Sequence, residues 1–154
     1  MITIDLPDEA ATAALAARLA TLVRPGDVIA LKGELGAGKT SLARAFIRAR
    51  AGHEEEVPSP TFTLVQIYEL PDLTIWHFDG FRLRGPEEAW ELGIEDALQD
   101  GVSLIEWPER FGGLIPKRRL ELTFEQGPTA EARRALIDAG PGWADRLASL
   151  AAET

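Results

Sequence analysis

The sequence predicts an α/β fold on a mixed β-sheet, and three observations predict it. Short apolar runs rich in β-branched residues alternate with alanine- and leucine-rich stretches of helical character. One of those runs passes through a glycine-rich loop straight into a helix. The chain has 154 residues, 45% hydrophobic and 27% charged, which suits one folded domain over 1–154 and is too short for two ordinary ones.

The elements follow in order. Residues 2–5 read as a short strand. Asp8 has the side chain to N-cap a helix over 10–23, and Arg24-Pro25-Gly26-Asp27 is turn chemistry. Val28-Ile29-Ala30-Leu31 predicts a buried strand, and 33–38 the glycine-rich loop. From Thr40 a helix should run to Ala51-Gly52, with Leu42, Ala45, Phe46 and Ala49 on one face. Prolines 58 and 60 prevent a continuous helix over 54–60, so an exposed, mobile loop is expected there. Residues 61–68 and 73–78 are β-rich and separated by Pro71-Asp72, which predicts a hairpin. Pro86 suits the first turn of a helix over 86–98. Strands are expected over 102–105, 120–124 and 135–137, and a closing helix over 143–152.

Composition excludes several chemistries. There is no cysteine, so disulfides, thiolate metal sites, iron–sulfur clusters and cysteine nucleophiles are ruled out. Two histidines, His53 and His77, cannot build a multi-histidine zinc cage. A net charge of −9 argues against a domain that grips bare nucleic acid by itself. No apolar run approaches the roughly 20 residues of a membrane span. Residues 1–5 lack a basic and then an apolar region, so no signal peptide is expected and a cytoplasmic location is the default.

Gly33-Glu34-Leu35-Gly36-Ala37-Gly38-Lys39-Thr40 fits G-x-x-x-x-G-K-[ST] at every fixed position, between a predicted strand and a predicted helix. Glycines let backbone N–H groups turn inward around a phosphate, and the helix N-terminus adds partial positive charge. Lys39 can reach the β- and γ-phosphates, the Thr40 hydroxyl can ligate Mg²⁺, and Ser41 can help hold the α-phosphate. With 14 glycines, three lysines and 14 serines plus threonines, chance supplies roughly 0.002 such matches per chain of this kind. The motif predicts a three-layer P-loop fold of the kind found in nucleoside triphosphatases.

Such a site needs an acid at the end of a neighbouring strand. Glu106 ends Val102-Ser103-Leu104-Ile105, and Asp79 ends 73–78, with Ile75, His77 and Asp79 on one face. The spacing leaves open which acid holds Mg²⁺ and which orients water. Thr61, after Ser59-Pro60, sits where many P-loop proteins keep a switch threonine, although a proline turn also explains it. His77 reads as a hydrogen-bonded strand histidine, Trp76, Trp90 and Trp143 as core or interface aromatics, and Arg82 and Arg84 as surface residues beside a turn.

The P-loop, Ser59-Pro60-Thr61-Phe62-Thr63-Leu64-Val65, His77-Phe78-Asp79 and Leu104-Ile105-Glu106-Trp107-Pro108-Glu109 occur in that order. In that combination, over about residues 6–138, the chain resembles the TsaE (YjeE) family of bacterial tRNA threonylcarbamoyladenosine (t6A) biosynthesis. The resemblance implies a P-loop α/β domain that binds ATP or ADP with Mg²⁺ and hydrolyses ATP slowly alone. It implies work with the proteins TsaB and TsaD, resetting their complex between turnovers, so that tRNA is met only through the complex. Position by position, it makes Thr40 and Glu106 the Mg²⁺ ligands and Lys39 the phosphate holder. Asp79 comes by the γ-phosphate as a catalytic or water-orienting acid, and Thr61 becomes the switch threonine. Glu9 falls at a position near the nucleoside, and Trp107 at one suited to packing or partner contact. Ser41 stands where many members have threonine, and the tail after Arg133 matches poorly.

Two rival readings use the same loop. A small-metabolite kinase needs an acceptor pocket and an arginine-bearing lid, for which Arg82 and Arg84 are the candidates. A non-catalytic nucleotide-binding scaffold needs the loop alone.

Overall fold

A computed structural model describes residues 2–34, 38–52 and 64–152. Gly36, Ala37, the 54–60 segment and Thr61 lie outside the described residues. Seven strands form one mixed sheet in the order β1-β7-β6-β2-β5-β4-β3. The strands are β1 (Ile2–Leu6), β2 (Val28–Lys32), β3 (Val65–Glu69), β4 (Thr74–Asp79), β5 (Val102–Glu106), β6 (Leu120–Gln126) and β7 (Arg133–Ala139). The helices are α1 (Glu9–Leu22), α2 (Lys39–Ala51), α3 (Pro86–Glu91), α4 (Ile94–Asp100) and α5 (Ala144–Ala152), with a 3₁₀ segment over Pro108–Leu114. β6, β2, β5 and β4 pair in parallel, whereas β1, β7 and β3 join antiparallel at the flanks.

β2 lies at the centre and is apolar on both faces, as a parallel strand covered on each side must be. Ile29 and Leu31 join one core with Leu15 and Leu19 of α1, Leu42 and Phe46 of α2 and Leu147 of α5. Val28 joins a second core with Phe78, Ala89, Ala97, Ile105 and Phe111. Helices therefore cover both faces, giving the three predicted layers.

Local chemistry sets most boundaries where they were expected. The Asp8 side chain accepts from the Ala11 N–H at 2.9 Å and caps α1, whose Thr12, Leu15, Ala16, Leu19 and Ala20 form a buried stripe. Gly52 takes a left-handed conformation and its N–H closes α2 on the Arg48 carbonyl. The hairpin is present as β3 and β4, with β3 starting at Val65 among the described residues.

Two expectations need correction. The helix expected over 86–98 is two helices, because Gly93 turns left-handed at φ 92 and starts α4 in a new direction. That turn seats Ile94 and Ala97 in the second core beside Ala89. The buried face of α2 is Leu42, Ala43, Phe46 and Ile47, at i, i+1, i+4 and i+5, which join the core with α1 and the sheet, while Ala49 is exposed. Of the tryptophans, Trp143 is buried, Trp76 is half-buried, and Trp90 stands 54% exposed on α3. No helix among the described residues is long and apolar enough to cross a membrane.

Candidate nucleotide site

β2, β5 and β4 run parallel and end level, with Leu31 opposite Glu106 and Glu106 opposite Asp79. The carboxyl edge of such a sheet is where α/β folds bind ligands, because strand ends and helix starts converge there. Gly80 makes the convergence possible. A Cβ at that position would stand 2.7 Å from the Trp107 carbonyl and 2.8 Å from the Phe111 ring. Its N–H donates to the Glu106 carbonyl at 2.9 Å, tying the ends of β4 and β5 together.

Gly38 precedes α2 at φ 115, a conformation that favours glycine, and the first turn of α2 carries no acid. The positive end of the helix therefore faces the strand ends unneutralised by its own residues. Lys39 is buried, and its ammonium donates to the carbonyl oxygens of Gly33 and Glu34. Its Nζ also lies 3.9 Å from the centre of the Trp107 ring. Trp107 reaches this place through a left-handed backbone, φ 58, directly after β5. Burial lowers the Lys39 pKa from 10.5, and the negative charges of Glu106, Glu109, Asp79 and Glu34 oppose that shift.

The Thr40 hydroxyl donates to Glu106 Oε1 at 2.8 Å. His77 Nε2 lies 2.7 Å from the other oxygen, Oε2. Glu106 is only 3% exposed and His77 is fully buried. Asp79 accepts the Phe81 N–H on Oδ1 at 2.9 Å, which fixes the carboxylate at the strand end. These residues border a cavity of about 840 Å³, within the size range of small-ligand sites. Gly38, Lys39, Thr40 and Ser41 form one wall, and Asp79, Glu106 and Trp107 the floor. Asp8, Glu9 and Thr12, at the start of α1, form another wall.

The donor set suits a hard divalent cation. A hydroxyl and a carboxylate oxygen already stand 2.8 Å apart beside a second carboxylate, and no nitrogen or sulfur cage competes among the described residues. Among the described residues no group of three histidines, aspartates or glutamates converges as a complete cage. Mg²⁺ fits that pattern, since it takes few protein ligands and completes its shell with water and phosphate.

The structure thus brings together Glu9, Gly38, Lys39, Thr40, Ser41, Asp79 and Glu106, all read from the sequence as site residues. Gly36, Ala37 and Thr61 lie outside the described residues. Arg82 and Arg84 are exposed and line no part of the cavity. Cavity-lining residues not read from the sequence as site residues include Asp8, Ala10, Thr12, Phe81, Ala130, Glu131 and Arg133. Phe81 carried a signal, lying two residues after a strand-end acid. Arg133 carried none, because pairing of β7 with β6 and β1 delivers it from the far end of the chain.

A parallel strand, a glycine turn, a lysine–threonine helix start and an acid on the neighbouring strand define a P-loop α/β protein. A family model described as "Threonylcarbamoyl adenosine biosynthesis protein TsaE" matches residues 6–135. The chain is 42% identical over 120 residues to the tRNA threonylcarbamoyladenosine biosynthesis protein TsaE of Rickettsia felis, covering 78% of this chain and 70% of that one. It is 35% identical over 121 residues to the protein of the same name from Bacillus subtilis, covering 78% and 73%. A crystal structure of Bacillus subtilis YdiB superposes with a TM-score of 0.77 at 26% identity, covering 99% of this chain and 94% of that one. This chain belongs to the TsaE family.

Proposed function

We propose that this protein is a Mg²⁺-dependent ATPase, converting ATP to ADP and phosphate, that acts with TsaB and TsaD in t6A biosynthesis at position 37 of tRNA. One observation carries the reading: the Thr40 hydroxyl on the Glu106 carboxylate, next to Lys39 and Asp79, at the start of α2. The family supplies the pathway, and the names of the Rickettsia and Bacillus relatives agree.

In this reading the start of α2 and the Lys39 ammonium hold the phosphates, with Gly36, Ala37 and Gly38 supplying backbone N–H groups. Lys39 exchanges its two carbonyl partners for phosphate oxygen. Thr40 and Glu106 hold Mg²⁺, which when bound neutralises phosphate charge. Asp79 orients the attacking water, Ser41 reaches the α-phosphate, and Glu9 lies by the nucleoside. Thr61 senses the γ-phosphate. Positioning and charge neutralisation are most of what phosphoryl transfer requires. Neither Arg82 nor Arg84 lines the cavity, so a kinase lid built on them gains no support; slow turnover without partners rests on the family resemblance. At −9 the protein would reach tRNA only through its protein partners, in the cytoplasm.

The test is phosphate release by the purified protein with and without purified TsaB and TsaD. Faster Mg²⁺-dependent release in the mixture is expected. No release even with both partners would leave the scaffold reading, and a phosphorylated metabolite in place of free phosphate would favour the kinase. Asp79→Asn separates the roles of the acids. It should cut turnover by roughly 100-fold, as loss of a general-base or water-orienting group does, with ATP affinity nearly unchanged. A large affinity loss with normal turnover would exchange Asp79 and Glu106.

A further inference from the structure

We infer that His77 is a positioning residue that sets the metal-binding oxygen of Glu106, an inference that rests on the Mg²⁺ reading above. His77 stands on β4 two residues before Asp79, on the same face, and β4 pairs with β5 so that Asp79 lies opposite Glu106. The imidazole is fully buried and its Nε2 is 2.7 Å from Glu106 Oε2. An ionised carboxylate only accepts, so Nε2–H is the donor. Nδ1 is buried without a hydrogen-bond partner among the described residues. An orphan acceptor there is tolerable and an orphan N–H is costly, which favours the tautomer with its proton on Nε2.

The consequence is an asymmetric carboxylate. Oε2 is occupied by His77, and Oε1 is the oxygen beside the Thr40 hydroxyl at the start of α2. Without His77 the Glu106 side chain keeps one hydrogen bond among the described residues, to the same hydroxyl whose oxygen would also meet the metal. With it, the carboxylate keeps its rotamer while Thr40 changes partner. Outer residues that orient a ligand in this way commonly change metal affinity by about 10–100-fold.

The experiment measures ATP binding by titration calorimetry with Mg²⁺ varied and with Mg²⁺ chelated, alongside thermal unfolding of each variant. His77→Leu should weaken the Mg²⁺-dependent gain in affinity about tenfold and leave metal-free binding within about twofold. His77→Gln places an amide N–H near the position of Nε2 and should restore most of the gain. His77→Asn is too short and should not. This Gln-against-Asn contrast decides the matter even if the leucine variant fails to fold. In a Glu106→Gln background, His77→Leu should add little further loss of the Mg²⁺-dependent gain. Equal losses with and without Mg²⁺, or equal behaviour of the Gln and Asn variants, would overturn the role of His77 alone. Absence of any Mg²⁺ effect in the unmutated protein would overturn it together with the Mg²⁺ reading.

Discussion

At the amino-terminal ends of the parallel strands, Asp27 is buried and held by a guanidinium. Its Oδ2 accepts from the Arg24 N–H at 2.6 Å and from Arg146 at 2.5 Å, and its Oδ1 accepts from Arg146 at 3.2 Å. Arg146 also donates to the Leu22 and Gly142 carbonyls and stacks over Trp143, which closes α5 against the core. At the carboxyl-terminal ends, Glu106 is as deeply buried, but its partners are a hydroxyl and an imidazole. The only ammonium nearby among the described residues, Lys39, faces four carboxylates: Glu106, Glu109, Asp79 and Glu34. One edge has its charge matched by a permanent cation from within the chain. The other carries surplus negative charge on hard oxygen donors, beside a helix start that favours anions. The first arrangement is a lock, and the second is suited to a divalent cation bound with phosphate.

Mutation of each edge should therefore be read by a different instrument. Removing the ammonium with Lys39→Ala should have the largest effect, lowering ATP affinity by roughly 100-fold or more in calorimetric titration, because a buried charge-assisted contact to phosphate is lost. Arg146→Ala should instead cost about 3 kcal/mol of stability by leaving Asp27 buried and unpaired, a fall in Tm of roughly 6–12 °C. Its ATP affinity should stay within about twofold. A loss of ATP binding in the folded Arg146→Ala protein would break the contrast between the two edges. Glu106→Gln should weaken binding at least about tenfold with Mg²⁺ present, roughly 1.4 kcal/mol, and much less with Mg²⁺ chelated. Equal effects in the two conditions would remove Glu106 from the metal site.

The smallest effect is one of pH. Burial holds the Lys39 pKa below 10.5, so the charged form is disfavoured in the fold. Its contribution to stability therefore improves as pH rises through the lowered value toward 10.5. Phosphate in contact favours the ammonium, so binding in that pH window should take up a fraction of a proton. Calorimetry in buffers of different ionisation enthalpy should show uptake that grows from neutral toward alkaline pH. A buffer-independent heat would mean that Lys39 does not meet the phosphates.

Much of the carboxyl edge was legible because its signals are local. Gly38, Lys39 and Thr40 are consecutive, and Asp79 and Glu106 each end an apolar strand. Glu9 came only through the family resemblance, since nothing in its own neighbourhood marks it. The cavity walls from Ala130, Glu131 and Arg133 depend on β7 lying between β6 and β1, a pairing across most of the chain. The Arg146–Asp27 lock spans 119 positions and was equally unreadable. The break at Gly93 was missed because an isolated glycine in a helical pattern is often tolerated, and only the tertiary need to seat Ile94 decides otherwise.

The most direct measurement is a crystal structure grown with Mg²⁺ and a non-hydrolysable ATP analogue. The account predicts phosphates at the start of α2, Lys39 moved from the Gly33 and Glu34 carbonyls onto them, and the metal on Thr40 and Glu106. An analogue bound elsewhere, or Lys39 still on its two carbonyls with the metal remote from Glu106, would contradict it.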